Sequence, residues 1–285
     1  MSIYTQTARF DTGRALTEDE MHRMAPSIFA VDAHESRSAR FRPIPTIEIL
    51  RGLEKEGFVP VGVRQSATRD PGKAPFTKHM IRLRHVDAMQ KHAVGDTVHE
   101  MLLKNANDGT SAYDLMAGLF RIACLNSLVS QTDTVDTVKV RHSGDAVGKV
   151  IEGTYTVLKA AETVMRAPQD WSQMKLNRDE AMALAEAAHM LRFGDAEGEV
   201  STPVQPLQLL APRRRDDANR DDLWMNFNII QENVIKGGLR GVRVDAETGQ
   251  RRRMSTRGVK GIDQDVKLNK ALWLLGERMA QLKAA

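Results

Sequence analysis

The chain has 285 residues, a length that fits one large domain or two small ones. With 41% apolar and 27% charged residues it has ordinary globular composition, which excludes wholesale disorder. A single cysteine, Cys124, excludes a disulfide framework and a cysteine-based zinc site, and 41 Lys and Arg against 37 Asp and Glu leave a mild excess of +4. No stretch approaches 18 uninterrupted apolar residues, so no membrane span is expected. Residues 1–14 lack the apolar core of a signal peptide, and the chain suits a reducing cytoplasm.

In chain order, Thr17 with Glu20 fits a capping box that opens a short helix through Met24, ended by Pro26. Residues 33–42 carry three arginines and few apolar residues, so residues 1–40 read as an arm with one short helix. Thr46 can cap a helix in which Ile47, Leu50 and Leu53 recur at helical spacing and Gly57 takes the left-handed stop. The texture then changes to period two. Residues 59–69 read as a strand with Val61, Val63 and Gln65 on one side, and residues 70–72 as a turn. Residues 77–86 alternate, Ile81, Leu83 and His85 against Arg82 and Arg84. Residues 98–105 make a third strand and Asn107, Asp108 and Gly109 a turn. Thr110 or Ser111 then caps a helix to Cys124 with Leu115, Met116, Leu119, Phe120 and Ala123 as its stripe. Residues 135–142 make a fourth strand.

Beyond Ser143 the pattern is helical, over 145–166, from Asn177 to Phe193, 221–236 and 263–283, with a linker at 194–206 and an arginine-rich loop at 240–260. No fixed repeat appears. The fold class that follows is α+β: an antiparallel β-meander covered by helices, with a mostly helical C-terminal part. The expected organisation is an arm over 1–40, an α+β core over 41–193 and a helical region over 194–285.

Three stretches together resemble one family. They are Leu-Lys-Asn-Ala-Asn-Asp-Gly-Thr-Ser-Ala-Tyr at 103–113, running on through 117–126; Val-Lys-Val-Arg-His-Ser-Gly-Asp at 138–145; and Phe-Asn-Ile-Ile-Gln-Glu-Asn-Val-Ile-Lys-Gly-Gly at 227–238, with Thr256, Arg257 and 268–273 downstream. The chain is similar, over roughly residues 25–283, to the domain-of-unknown-function family nine-three-two, the phage/plasmid-like proteins of bacterial mobile elements. Asn107 stands where that family usually has His, and Asn126-Ser127 where it has Asn-Gly, so the resemblance carries no metal or base role to this turn. It implies a bacterial host cytoplasm and no particular chemistry.

Several constellations remain to be placed. His79, His85 and His142 fall on expected strands without metal-ligand spacing, so no metal or other cofactor is expected. Cys124 has no base nearby in sequence and reads as a small buried hydrophobe. Asn105, Asn107, Gly109 and Thr110 read as a turn and cap, or as a backbone site for an anion. Asn226, Asn228, Gln231, Glu232 and Asn233 crowd one helix, which suggests a buried polar network, an inter-subunit contact or a solvated face.

The basic residues give the strongest functional hint. Residues 240–260 hold seven Lys and Arg and two acids, a local +5. Lys78, Arg82, Arg84, Lys104, Lys139 and Arg141 would give the sheet a positive face, and Arg251, Arg252, Arg253 and Arg257 a basic loop. Both would neutralise phosphates. Arg213, Arg214 and Arg215, beside Asp216 and Asp217, read as solvated charge. Aromatics are only 5%, leaving Phe41, Phe76 and Tyr113 as candidates for base stacking. The expectation is a non-enzymatic protein that binds single-stranded DNA as a homo-oligomer, without catalytic residues. The element order is similar, at the level of fold, to RecT and Red-beta-like annealing proteins. The alternatives are a host-takeover or anti-restriction factor acting on a host protein, and a metal-dependent nuclease.

Overall fold

A computed structural model describes residues 14–32, 44–90, 96–108, 111–121, 127–129, 138–141, 145–160, 162–194, 197, 202–218, 221–244 and 248–284. The chain divides into two compact units, residues 1–165 and 166–285. The architecture is α+β, an antiparallel meander with helices in the first unit and a helical C-terminal region.

In the first unit, α1 (Glu18–Met24) opens on the expected capping box, in which the Thr17 hydroxyl accepts from the Glu20 N–H and the Glu20 carboxylate accepts from the Thr17 N–H. Helix α2 (Thr46–Lys55) starts one residue earlier than expected, with Pro45 at the N-cap. Thr46 is therefore not a cap; its hydroxyl turns inward, where it meets His79 and Asn105. Gly57, at φ +86°, supplies the left-handed stop, and a Cβ there would lie 2.7 Å from the His85 imidazole.

Among the described residues the sheet has six strands: β1 (Phe58–Gln65), β2 (His79–His85), β3 (Thr97–Ala106), β4 (Ser111–Arg121), β5 (Ser127–Val129) and β6 (Val138–Val140). Strands β1 to β4 follow one another, all antiparallel. Strand β5 pairs with Gly118, Leu119 and Phe120 of β4, and β6 with Tyr113, Asp114 and Leu115.

Strand β4 overturns the helix expected from 110 to 124. Leu115, Met116 and Leu119 fit a helical stripe, but Tyr113, Leu115, Ala117 and Leu119 also repeat at period two. All five are buried. A strand buried on both faces reads as a near-continuous apolar run, so local spacing cannot separate the two structures. Pairing with β3, from Thr97↔Arg121 to Ala106↔Ser111, decides it.

Register sorts the side chains onto two faces. His79, Ile81, Leu83, Met101, Leu103, Asn105, Tyr113, Leu115 and Leu119 share the first. Helices α2 and α3 (Ala146–Ala160) pack together, and α3 lies against β4 and β6. At Gly153 a Cβ would come within 2.7 Å of Val138 and 3.0 Å of Leu115, so this glycine lets α3 approach the sheet closely. Arg82, Arg84, Glu100, Leu102, Lys104, Asp114 and Met116 share the second face. The helix expected over 145–166 is present as α3 and the start of α4 (Glu162–Ser172), on either side of residue 161, which lies outside the described residues; the boundary between the units falls inside α4.

The second unit holds the rest of α4, α5 (Arg178–Phe193), α6 (Leu223–Lys236) and α7 (Ile262–Ala284). Asn177 and Glu180 form the expected capping box of α5. That helix packs against α6 and α7, within this unit. Trp171, Trp224, Phe227 and Trp273 form an aromatic core, Trp171 stacked on Trp273 at 4.8 Å. Gly276 leaves room for the Trp171 ring, which would sit 2.5 Å from a Cβ.

Helix α6 is buried along nearly its whole length, polar residues included. Gln231 donates to Asn269 Oδ1 at 2.8 Å, and the Asn233 amide donates to the carbonyls of Leu209 and Ala211. The buried polar network is thus the arrangement present. The Arg213–Arg215 run is not simply solvated charge. Arg213 binds Asn233 Oδ1 and the Gly237 carbonyl, while Arg214 grips Glu232 with two bonds and also reaches Asp217. Burial pushes the Glu232 carboxyl up, but hydrogen bonds from Arg214 and Lys236 outweigh it and hold the group below its ordinary value.

Two outcomes follow. Leu119→Ala, in the buried β4, is expected to cost about 2–5 kcal/mol in urea unfolding. Glu232 is depressed in the folded state, so its contribution is present above its ordinary value of 4.5 and is lost as pH falls through the lower folded value. Glu232→Gln should therefore melt below the wild type at pH 7, with the gap narrowing below pH 4.5 in thermal scans.

Candidate nucleic-acid interface

The positive sheet face expected of the first unit is largely an internal one. Arg82 makes two bonds to the Glu100 carboxylate, 2.5 and 2.8 Å, and Arg84 a third at 2.5 Å. All three residues are buried. The Arg82 side chain crosses Gly62, where a Cβ would lie 3.2 Å from it, beside the register shift in β1. Lys104 pairs with Asp114 at 2.9 Å, both nearly enclosed. Lys78 is half-buried. Only Lys139 and Arg141 of the six stand exposed. Alternation placed Arg82 and Arg84 opposite the apolar residues correctly, but the face they share is covered, so neither reaches an external phosphate.

The expected anion turn is corrected in the same way. Asn105 and Asn107 are buried, and their side chains tie the end of β3 to the rest of the unit. Asn105 donates to Thr46 Oγ1 and Asn107 Oδ1, and Asn107 donates to the Ser27 carbonyl. His79 completes the network between Ser27 Oγ at 2.8 Å and Thr46 Oγ1 at 3.0 Å. Ser27 and His79 form a nucleophile–base pair in distance only, because both are fully buried. Gly109, Thr110, Cys124 and His142 lie outside the described residues. Tyr113 donates to the Ile44 carbonyl, and burial pushes its phenol up. Its ring is inside the core and takes no part in stacking.

A cavity of about 530 Å³ lies in this unit among Phe58, Leu83, Met101, Leu119, Tyr155 and Leu158. His85 and His99 border it, and burial lowers the His99 imidazole below its ordinary range. No group of three or more His, Cys, Asp or Glu able to hold a metal occurs among the described residues.

The second unit presents its basic residues differently. Residues 240–260, expected as a mobile loop, contain a β-hairpin, β7 (Arg240–Val244) and β8 (Arg251–Ser255). Its foot is built by close chain approach. Gly237 and Gly238 end α6 at φ +63° and +80°, and a Cβ on Gly237 would lie 2.6 Å from the Arg257 carbonyl carbon. Gly238 N donates to Thr256 O at 2.7 Å, Thr256 N to Leu239 O at 2.9 Å, and Val259 N to Ile235 O at 2.8 Å. The two strands form their own sheet.

Arg240, Arg243, Arg251, Arg252, Arg253 and Arg257 are all exposed. Among the described residues no carboxylate pairs with any of them. Register divides them. Arg240, Arg251 and Arg253 share a face with Val242 and Ser255; Arg243 and Arg252 sit directly opposite one another on the other face, beside Gly241 and Met254. Like charges directly opposite on paired strands repel. The Arg243–Arg252 pair is thus a concentration of positive charge with no carboxylate partner among the described residues. Arg240 and Arg243 become part of the site only once the pairing is known. The turn residues Thr248 and Gly249, the latter at φ +68°, carry the local hairpin signal, and the charge of the flanking segments hides their strand character.

Comparison with known proteins follows the fold rather than the chemistry. A family model described as "Domain of unknown function (DUF932)" matches residues 33–273. Two relatives from Escherichia coli (strain K12), "UPF0380 protein YafZ" and "UPF0380 protein YfjQ", are each 44% identical over 266 residues, covering 93% of this chain and 92% of the relative. No solved structure matches the chain. No helix among the described residues is long and apolar enough to cross a membrane.

The two kinds of arginine are expected to respond oppositely to substitution. Glu100→Ala removes the carboxylate that two buried guanidinium groups share and should cost about 3–5 kcal/mol. The double change Arg243→Ala with Arg252→Ala removes a repulsive exposed pair. Its unfolding free energy should stay within about 0.5 kcal/mol of the wild type per substitution, or rise. Denaturant titration of both variants measures the contrast.

Proposed function

The chain belongs to the DUF932 family, and within that family we propose that it is a non-enzymatic single-stranded DNA-binding protein whose contact surface is the β7–β8 hairpin. The observation that carries this reading is the set of exposed arginines on both faces of the hairpin, none paired with a carboxylate among the described residues. Guanidinium groups bind phosphate oxygens bidentately and release the counterions condensed on the strand. No bond need be made or broken. Contacts to the sugar-phosphate chain leave base edges free, so a bound strand stays open to pairing, the requirement of an annealing protein acting in phage or plasmid recombination or replication.

A single hairpin spans few nucleotides, so the proposal includes a homo-oligomer that repeats the hairpin along one strand. Among the described residues β2 is the only strand paired with β1, and the other edge of β1, met at the Pro60 carbonyl by the Leu16 N–H, is where copies would make contact.

The test is anisotropy of a labelled single-stranded oligonucleotide of random sequence at low and moderate salt. Binding should show little sequence preference and weaken steeply with salt. Substituting Arg251, Arg252 and Arg253 together by Ala should lower the slope of log K against log salt by about 0.7 per lost phosphate contact. Circular dichroism should show the fold intact. Light scattering with and without the oligonucleotide reports assembly. Undetectable binding at low salt removes the reading and returns the question to the two alternatives, a factor acting on a host protein and a metal-dependent nuclease.

A further inference from the structure

The hairpin itself carries no aromatic side chain, yet single-strand binders draw much of their affinity from base stacking. The aromatic contribution sits at its foot. A cavity of about 210 Å³ lies between Arg192 and Phe193 at the end of α5, Thr202, Pro203 and Val204, and Met254 to Arg257 at the end of β8 and just beyond it. We propose that this cavity takes one unpaired nucleobase of the bound strand, stacked on Phe193. The proposal rests on the DNA-binding reading above and deepens it, because it supplies the preference for single strands.

Three observations argue for that occupant. The first is size: drug-sized ligands occupy about 300–1,000 Å³, so this space holds a ring system and not a large molecule. The second is chemistry. Phe193 and Met254 offer an aromatic ring and a polarisable thioether to a flat apolar group. Thr202, Ser255 and Thr256 bring hydroxyls to the same walls. The Arg192 guanidinium lies 5.3 Å from the centre of the Phe193 ring. It is held there by the carbonyls of Val234, at 3.3 Å, and Arg257, at 2.9 Å. The other support of the ring is His189, at 5.0 Å. The stacking surface is therefore fixed before a ligand arrives.

The third observation is the placement of charge. A Cβ on Gly241 would lie 2.6 Å from the Pro203 carbonyl, so the hairpin face bearing Gly241 and Met254 is the one that borders the cavity. Two residues further along that face stand Arg243 and Arg252, directly opposite one another. Two strand residues span about 7 Å. A phosphate joined to the base in the cavity thus falls within reach of the Arg243–Arg252 pair, and Arg257 stands exposed on the cavity rim. A base within a duplex is paired and stacked and cannot enter without leaving its partner. The arginines give phosphate affinity to either form of DNA, and the cavity favours the single strand.

The experiment compares, on the full-length protein, a labelled oligothymidylate with an oligonucleotide of the same length carrying abasic sites throughout. Wild-type protein should bind the abasic strand about 5- to 150-fold more weakly at the same salt, with a similar salt slope. Phe193→Leu keeps the apolar volume but loses the stacking face. It should bind oligothymidylate as weakly as the wild type binds the abasic strand, with the salt slope unchanged. The wild-type comparison needs no variant, so it decides the matter even if Phe193→Leu folds poorly. Equal affinity of the wild type for both strands overturns the base pocket and leaves the phosphate-binding hairpin standing. Absence of binding to either strand at low salt overturns both.

Discussion

The carboxylate of Glu100 lies between the guanidinium groups of Arg82 and Arg84 inside the sheet, and this pairing keeps both arginines from facing outward. A charge removed from water must be matched where it lies. β2 places two arginines on one face, two residues apart. β3 places Glu100 on that same face, within reach of both. Gly62 on β1 gives Arg82 the space to lie flat against the strand. Lys104 and Asp114 repeat the arrangement one strand further on. The interior of the first unit thus consumes cations that a linear reading assigns to a ligand.

The same rule organises the second unit around α6. Its carboxylate and three of its amides are inside, and three of these four side chains are matched by partners from other elements: Gln231 with Asn269, Asn233 with Arg213 and two carbonyls, and Glu232 with Arg214 as well as Lys236 of its own helix. Such a network is costly if half made and restrictive if complete. It sets the position of the end of α6, where Gly237 and Gly238 turn the chain into the hairpin, and Arg213 binds the Gly237 carbonyl as well. The hairpin is therefore presented from a rigid base although its own strands stand exposed.

Against these two interiors the hairpin arginines are the exception. They occupy an exposed two-stranded ribbon, two of them face one another, and none has a carboxylate partner among the described residues. Next to them lies a cavity with an aromatic wall. Charge and ring surface at one place suit a strand of phosphates bearing flat bases, and that coincidence connects the proposed function with the proposed pocket.

By itself the sequence determined the fold class, the family, the capping boxes at Thr17 and Asn177, the glycine stops at Gly57 and Gly237, and the crowding of amides on α6. Each of these is written in residues adjacent along the chain, where caps, turns and period-two alternation operate. Only the tertiary structure decided that residues 111–121 are a strand, that Thr46 is an internal hydroxyl and not a cap, that Asn105 and Asn107 hold the core together, and that the basic loop is a hairpin. It also decided which arginines are buried, and it brought Phe193 to the foot of a hairpin nearly fifty residues further along the chain. The reason is physical. A run of apolar residues fits a helix and a doubly covered strand equally well, and the backbone pairing that separates them comes from a distant segment. Likewise a guanidinium group is the same in the sequence whether it meets a carboxylate or water, and only the packing of other strands determines which it meets.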